Sequence, residues 1–96
     1  MSHHEISSLD DIVHQRTRLA LLSVLVEADG AETTYLKKSL NLTDGNLGRH
    51  LGVLQEAGMI VVTKTSSSAR ARSWVAVTDH GRESYYHEIR VLTQLV

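Results

Sequence analysis

Residues 41–58 read Asn41-Leu42-Thr43-Asp44-Gly45-Asn46-Leu47-Gly48-Arg49-His50-Leu51-Gly52-Val53-Leu54-Gln55-Glu56-Ala57-Gly58. This stretch carries its own start, stripe and stop. Thr43 has the side chain of a helix N-cap, whose oxygen accepts from a backbone N–H that the first turn leaves without a partner. Leu47, Leu51 and Leu54 recur at helical spacing and predict a helix over roughly 44–57. Gly58 stands at C′, where a left-handed backbone favours glycine. Just upstream, Thr33 or Thr34 can cap a shorter helix containing Tyr35, Leu36 and Leu40, and Asn41-Leu42 then makes the turn. Two short helices joined by a tight turn have helix-turn-helix spacing.

The flanks extend this plan in both directions. Leu9, Ile12, Val13, Leu19, Leu22, Leu25 and Val26 recur mostly at three- and four-residue steps, which predicts one long amphipathic helix over roughly 9–28. Ser8 and Asp11 resemble a capping box at its start, and Asp29-Gly30 end it. Residues 1–8 are expected to be a flexible N-terminus. After Gly58, Met59-Ile60-Val61-Val62-Thr63 is β-branched and reads as a strand, and Ser73-Trp74-Val75-Ala76-Val77 reads as its return. Ser66-Ser67-Ser68-Ala69 form the polar tip between them. Thr78 caps a final helix, with Asp79 and Glu83 towards its positive end. The order helix, helix, turn, helix, hairpin, helix is the winged helix-turn-helix plan. It is mainly α, with a three-helix core, a two- to three-stranded wing and a C-terminal helix. The domain is expected over 9–78, and residues 79–96 are expected to pair with a second copy.

Composition narrows the chemistry. Ninety-six residues make one small domain, and a hydrophobic share of 42% is enough for a core. There is no cysteine, which removes disulfides, thiolate zinc sites and cysteine nucleophiles, and fits a reducing cytoplasm. The longest apolar run, Leu19 to Val26 interrupted by Ser23, is too short to span a bilayer, and the polar, acidic first residues do not read as a signal peptide. The net charge is −1, but it is unevenly spread. Residues 1–32 hold two basic and six acidic side chains, whereas residues 33–75 hold six basic and two acidic ones. The basic part coincides with the helix-turn-helix and hairpin, which points towards a nucleic acid.

Four stretches resemble a family of small winged-helix transcriptional regulators related to the arsenical-resistance and multiple-antibiotic-resistance repressors. Ile12-Val13-His14-Gln15-Arg16-Thr17-Arg18-Leu19 is similar to the first-helix signature, and Leu42 to Leu51 to the recognition helix. Glu56-Ala57-Gly58-Met59-Ile60 resembles the exit into the wing, and Val77-Thr78-Asp79-His80-Gly81-Arg82 the start of the last helix. Together they cover about residues 9–90. Two departures stand out: there is no proline after the His14-Gln15 pair, and glycines occupy 48 and 52 where the family often has polar residues. The resemblance implies sequence-specific binding of double-stranded DNA by a homodimeric regulator, with no catalytic residue and no cofactor.

The residues suit that task. With the leucines inward, Gly45, Asn46, Arg49 and Val53 face outward, and His50 lies at the boundary. Arginine can bridge guanine O6 and N7, and asparagine adenine N6 and N7, in the major groove. Thr43 and the free N–H groups beside it suit a phosphate. Lys64, Arg70 and Arg72 give the hairpin three cations and no acid, which suits the flanking backbone or minor groove. Lys37 and Lys38 are further candidates for backbone contact. Tyr86, Ile89, Leu92, Leu95 and Val96 form an apolar edge for a dimer.

Rival readings have less behind them. His80, Glu83 and His87 share a helical face, but solvated helix histidines are commoner than such a metal site, and no metal is expected. No glycine-rich phosphate loop or nucleophile elbow supports an enzyme. The serious alternative is a winged-helix module that binds protein and not DNA. The sequence leaves open any small-molecule or metal effector.

Overall fold

The computed structural model describes the backbone of residues 2–65 and 72–94, and the side chains of residues 14–64 and 72–94. Four helices surround a three-stranded sheet in the order α1 (Ser2–Ala28), β1 (Ala31–Glu32), α2 (Thr33–Leu40), α3 (Asp44–Glu56), β2 (Ile60–Thr65), β3 (Arg72–Val77) and α4 (Asp79–Gln94). This is the winged-helix architecture expected from the sequence. The tip residues Ser66–Ala69 and Arg70, and the terminal Leu95 and Val96, lie outside the described residues.

The first helix begins earlier than its apolar stripe. Residues 2–8, expected as a flexible lead, are helical, so the Ser8–Asp11 pair is not at a helix start. No glycine or proline interrupts residues 2–8, and extending an existing helix costs far less than nucleating one. The helix ends as expected. Asp29 takes the left-handed backbone (φ 58°), and the Gly30 N–H donates to the Leu25 carbonyl at 3.1 Å. Gly30 is needed twice over: its φ is 105°, and a Cβ there would lie 2.8 Å from the Trp74 ring.

The short helices also close on specific caps. Asn41, at φ 53°, ends α2, and the Leu42 N–H returns to the Lys37 carbonyl at 3.0 Å. Glu32 is the N-cap residue of α2 and makes no side-chain cap bond, so neither Thr33 nor Thr34 caps this helix. Thr43 does cap α3, its Oγ1 accepting from the Asn46 N–H at 3.1 Å. Beyond α3, Gly58 (φ 75°) donates to the Gln55 carbonyl and Met59 to the Leu54 carbonyl, the paired bonds of a Schellman end.

The sheet runs β1-β3-β2, all antiparallel. Val75 lies opposite Ala31 on one side and Val62 on the other. Alternation turns Ala31, Ile60 and Val75 into the core, whereas Val61 and Trp74 face out. The core joins them to Leu21, Leu22 and Leu25 of α1, Leu36 of α2, and Leu47, Leu51 and Leu54 of α3. Tyr35, counted with Leu36 in the α2 pattern, is exposed.

The start of α4 is locked to the end of α3. Thr78 Oγ1 accepts from the Gly81 N–H at 3.0 Å and donates to the Gly58 carbonyl at 2.7 Å. Gly81 packs so close that a Cβ would run into the Met59 carbonyl oxygen. Further along, the Tyr85 hydroxyl donates to Ser23 Oγ at 3.2 Å, tying α4 to α1.

Candidate nucleic-acid interface

Helix α3 has two sharply different sides. Leu47, His50, Leu51 and Leu54 are buried, whereas Thr43, Gly45, Asn46, Arg49 and Val53 are exposed. Asn46 and Arg49 stand one turn apart on the open side, next to the capped N-terminus. Gly45, Gly48 and Gly52 lie on that side too, and a Cβ at any of them would meet nothing within 4 Å. Packing within the domain therefore does not require these glycines, and they leave α3 with a low outer face.

His50 departs from the sequence expectation. It belongs to the inward stripe and is 5% exposed, so it does not share the outer face with Arg49. Its ring meets His14 of α1 edge to face, with centroids 5.3 Å apart and planes at 78°. Its Nδ1 is buried with no hydrogen-bond partner among the described residues. Burial holds its pKa below the ordinary value of 6.5, and Arg18, His14 and Arg49 push in the same direction. The spacing had carried a signal: 47, 50, 51 and 54 are i, i+3, i+4 and i+7. The polar residue type concealed it.

The basic residues have distinct settings. Lys37 Nζ lies 3.0 Å from Asp44 Oδ1, which ties α2 to the first residue of α3, and Lys38 is exposed. Asp44 is thus both a favourable charge at a helix N-terminus and the partner of Lys37. On the wing, Lys64 is exposed. Arg72 lies 3.6 Å from Glu32, so the hairpin's positive charge is partly balanced by an acid from β1. The hairpin sequence alone contains no acid, and only the β1–β3 pairing brings Glu32 there. Arg70 falls outside the described residues.

On α4, Tyr86 and Leu92 are about half exposed and Ile89 is partly buried. Val91, overlooked in the sequence pattern, is also exposed. A groove of about 730 Å³ separates α4 from α1 and the end of α3, with Leu19, Leu22, Val53, Met59 and Leu92 among its walls. His80, Glu83 and His87 all border it. Among the described residues, however, no three His, Cys, Asp or Glu side chains are grouped closely enough to hold a metal ion. No helix there is long and apolar enough to cross a membrane.

Comparison with known proteins decides the family. The model of the winged helix DNA-binding domain matches residues 17–96. The chain belongs to that family. An uncharacterised protein of Methanocaldococcus jannaschii is 34% identical over 84 residues, covering 88% of this chain and 91% of its own. The solved structure of a transcriptional regulator homologue from Pyrococcus horikoshii superposes on this winged helix domain with a TM-score of 0.80 and 27% identity, over 99% of this chain and 94% of the other. A MarR-family transcriptional regulator from Silicibacter pomeroyi gives a TM-score of 0.61 and 25% identity, over 74% of this chain and 47% of its own. The fold and family of this winged helix domain are those of DNA-binding transcriptional regulators, as the four resembling stretches imply.

Proposed function

We propose that this winged helix domain is a sequence-reading transcriptional regulator of the cytoplasm that sets α3 in the major groove of duplex DNA and works as a homodimer. The supporting observation is the two-sided α3. Its apolar side is fixed in the core, and its open side carries Asn46 and Arg49 beside the Thr43-capped end. Thr43 and the α3 N-terminus take a phosphate, Asn46 and Arg49 read base edges, and Gly45 and Gly48 let the helix approach closely. Val53 gives an apolar contact farther along. Lys64, Arg70 and Arg72 bind the flanking backbone or minor groove, and Arg72 is exposed enough to reach a phosphate from beside Glu32. Lys37 and Lys38 add contacts at the edge. A second copy covers Tyr86, Ile89, Leu92, Leu95 and Val96, which sets two α3 helices about one DNA turn apart.

Selection of bound duplexes from a random pool tests the division of labour. Arg49→Ala should relax base preference at one position in each half-site, and Arg70→Ala should weaken all sequences alike. An Arg49→Ala variant with unchanged preference, or a sequence-selective Arg70→Ala effect, contradicts the assignment.

A further inference from the structure

Among the described residues, His50 is the sole buried polar or charged side chain, and the DNA-reading role leaves it without a task. It sits on the inner side of the same helix turn that carries Arg49 outward. Its one described ring contact is His14, which projects from α1. His14 and Arg18 are one helical turn apart on α1, so the two face α3 together. The groups acting on His50 are therefore His14 and Arg18 from α1 and Arg49 from its own helix. Each is a cation or becomes one on taking up a proton. The unpartnered Nδ1 adds a second obstacle, because an imidazolium needs both ring N–H groups satisfied.

We propose that the His14–His50 contact is a proton-operated latch that seats the recognition helix on α1, closed while His50 is neutral and released when it takes a proton. A buried imidazolium in the field of Arg18 and Arg49 is relieved by moving α3 outward or by loosening its first turns. Either motion displaces Asn46 and Arg49, which are carried on the same turns. The pH window follows from the direction of the shift. The folded-state pKa of His50 lies below the ordinary 6.5 of the unfolded chain. Its neutral form thus contributes stability that is present above 6.5 and lost as pH falls through the folded value. The consequence for DNA rests on the preceding reading, whereas the latch concerns the free protein.

The test is an NMR titration of the full chain from pH 8 to 5.5, with thermal unfolding measured at each pH. The His50 Hε1 resonance should titrate below 6.5, and the amides of residues 14–18 and 46–51 should shift with the same midpoint. His14→Gln removes the ring that meets His50, one of the groups that lower its pKa, and should raise the His50 midpoint. His50→Gln should remove at least half of the acid-induced fall in unfolding temperature. The latch is refuted if His50 titrates at or above 6.5, if the α3 amides do not follow it, or if all three proteins lose stability in parallel. Should His50→Gln fail to fold, the wild-type and His14→Gln titrations decide. All readouts come from the free protein, so a failure to bind DNA would count against the preceding reading and leave the latch result intact.

Discussion

The same substitution at two helical glycines should change stability in opposite directions. Gly48 lies on the open side of α3, where an added Cβ meets no atom within 4 Å. Alanine there gains helix propensity, about 1 kcal/mol, with no steric cost. Gly81 lies in the first turn of α4, where an added Cβ would collide with the Met59 carbonyl and stand 2.8 Å from Val77 Cγ2. That carbonyl cannot easily move, because it accepts the Thr78 N–H at 2.9 Å, and Thr78 also holds the Gly58 carbonyl. Overpacking of this kind costs about 1–3 kcal/mol, enough to cancel or exceed the propensity gain. Thermal unfolding at fixed protein concentration, without DNA, reads both effects. At roughly 4–8 °C per kcal/mol for a domain this size, Gly48→Ala should melt roughly 4–8 °C higher. Gly81→Ala should melt below wild type. A Gly48→Ala variant no more stable than wild type would mean that the outer face of α3 is covered in the free protein, which contradicts the open face described above.

Other perturbations separate structural from binding roles. The stabilised Gly48→Ala variant should bind DNA more weakly, because its methyl stands on the approaching face; unchanged affinity in a gel-shift titration argues against close approach there. Thr43→Ala removes the α3 cap and should cost about 1 kcal/mol by urea unfolding, with a larger proportional loss of DNA affinity if the hydroxyl also meets a phosphate. Leu92→Asp should shift the sedimenting species towards monomer. An unaltered sedimentation profile would contradict the proposed pairing through this edge of α4.

Much of this fold was legible because its signals are local. Thr43, Gly58 and Thr78 each fix an element boundary through bonds to residues within a few positions, and the structure keeps all three. The leucine stripe of α3 likewise needs only its own spacing. What escaped depends on distant partners or on residue type. The two-residue strand Ala31–Glu32 is too short for a periodic signal and exists because β3 supplies its hydrogen bonds. The Arg72–Glu32 pair follows from that strand, so it was hidden for the same reason. His50 had the spacing of a core residue but the chemistry of a surface one, and it is His14, far away in sequence, that gives it a place inside. At the candidate interface, the outward set of Asn46, Arg49 and Val53 was readable from helical geometry alone.

Every binding role proposed above depends on duplex DNA meeting a basic, phosphate-contacting face of this chain. The most direct test of that contact is a binding titration on duplex DNA at a series of salt concentrations. Each neutralised phosphate steepens the plot of log affinity against log salt by about 0.9, so Lys64 and Arg70 alone, leaving out the Glu32-balanced Arg72, predict a slope of about −1.8 per protomer. Random duplex should bind measurably at low salt, and its affinity should decline with salt at least that steeply. Absence of binding even at low salt, or binding indifferent to salt, would contradict DNA contact through this face.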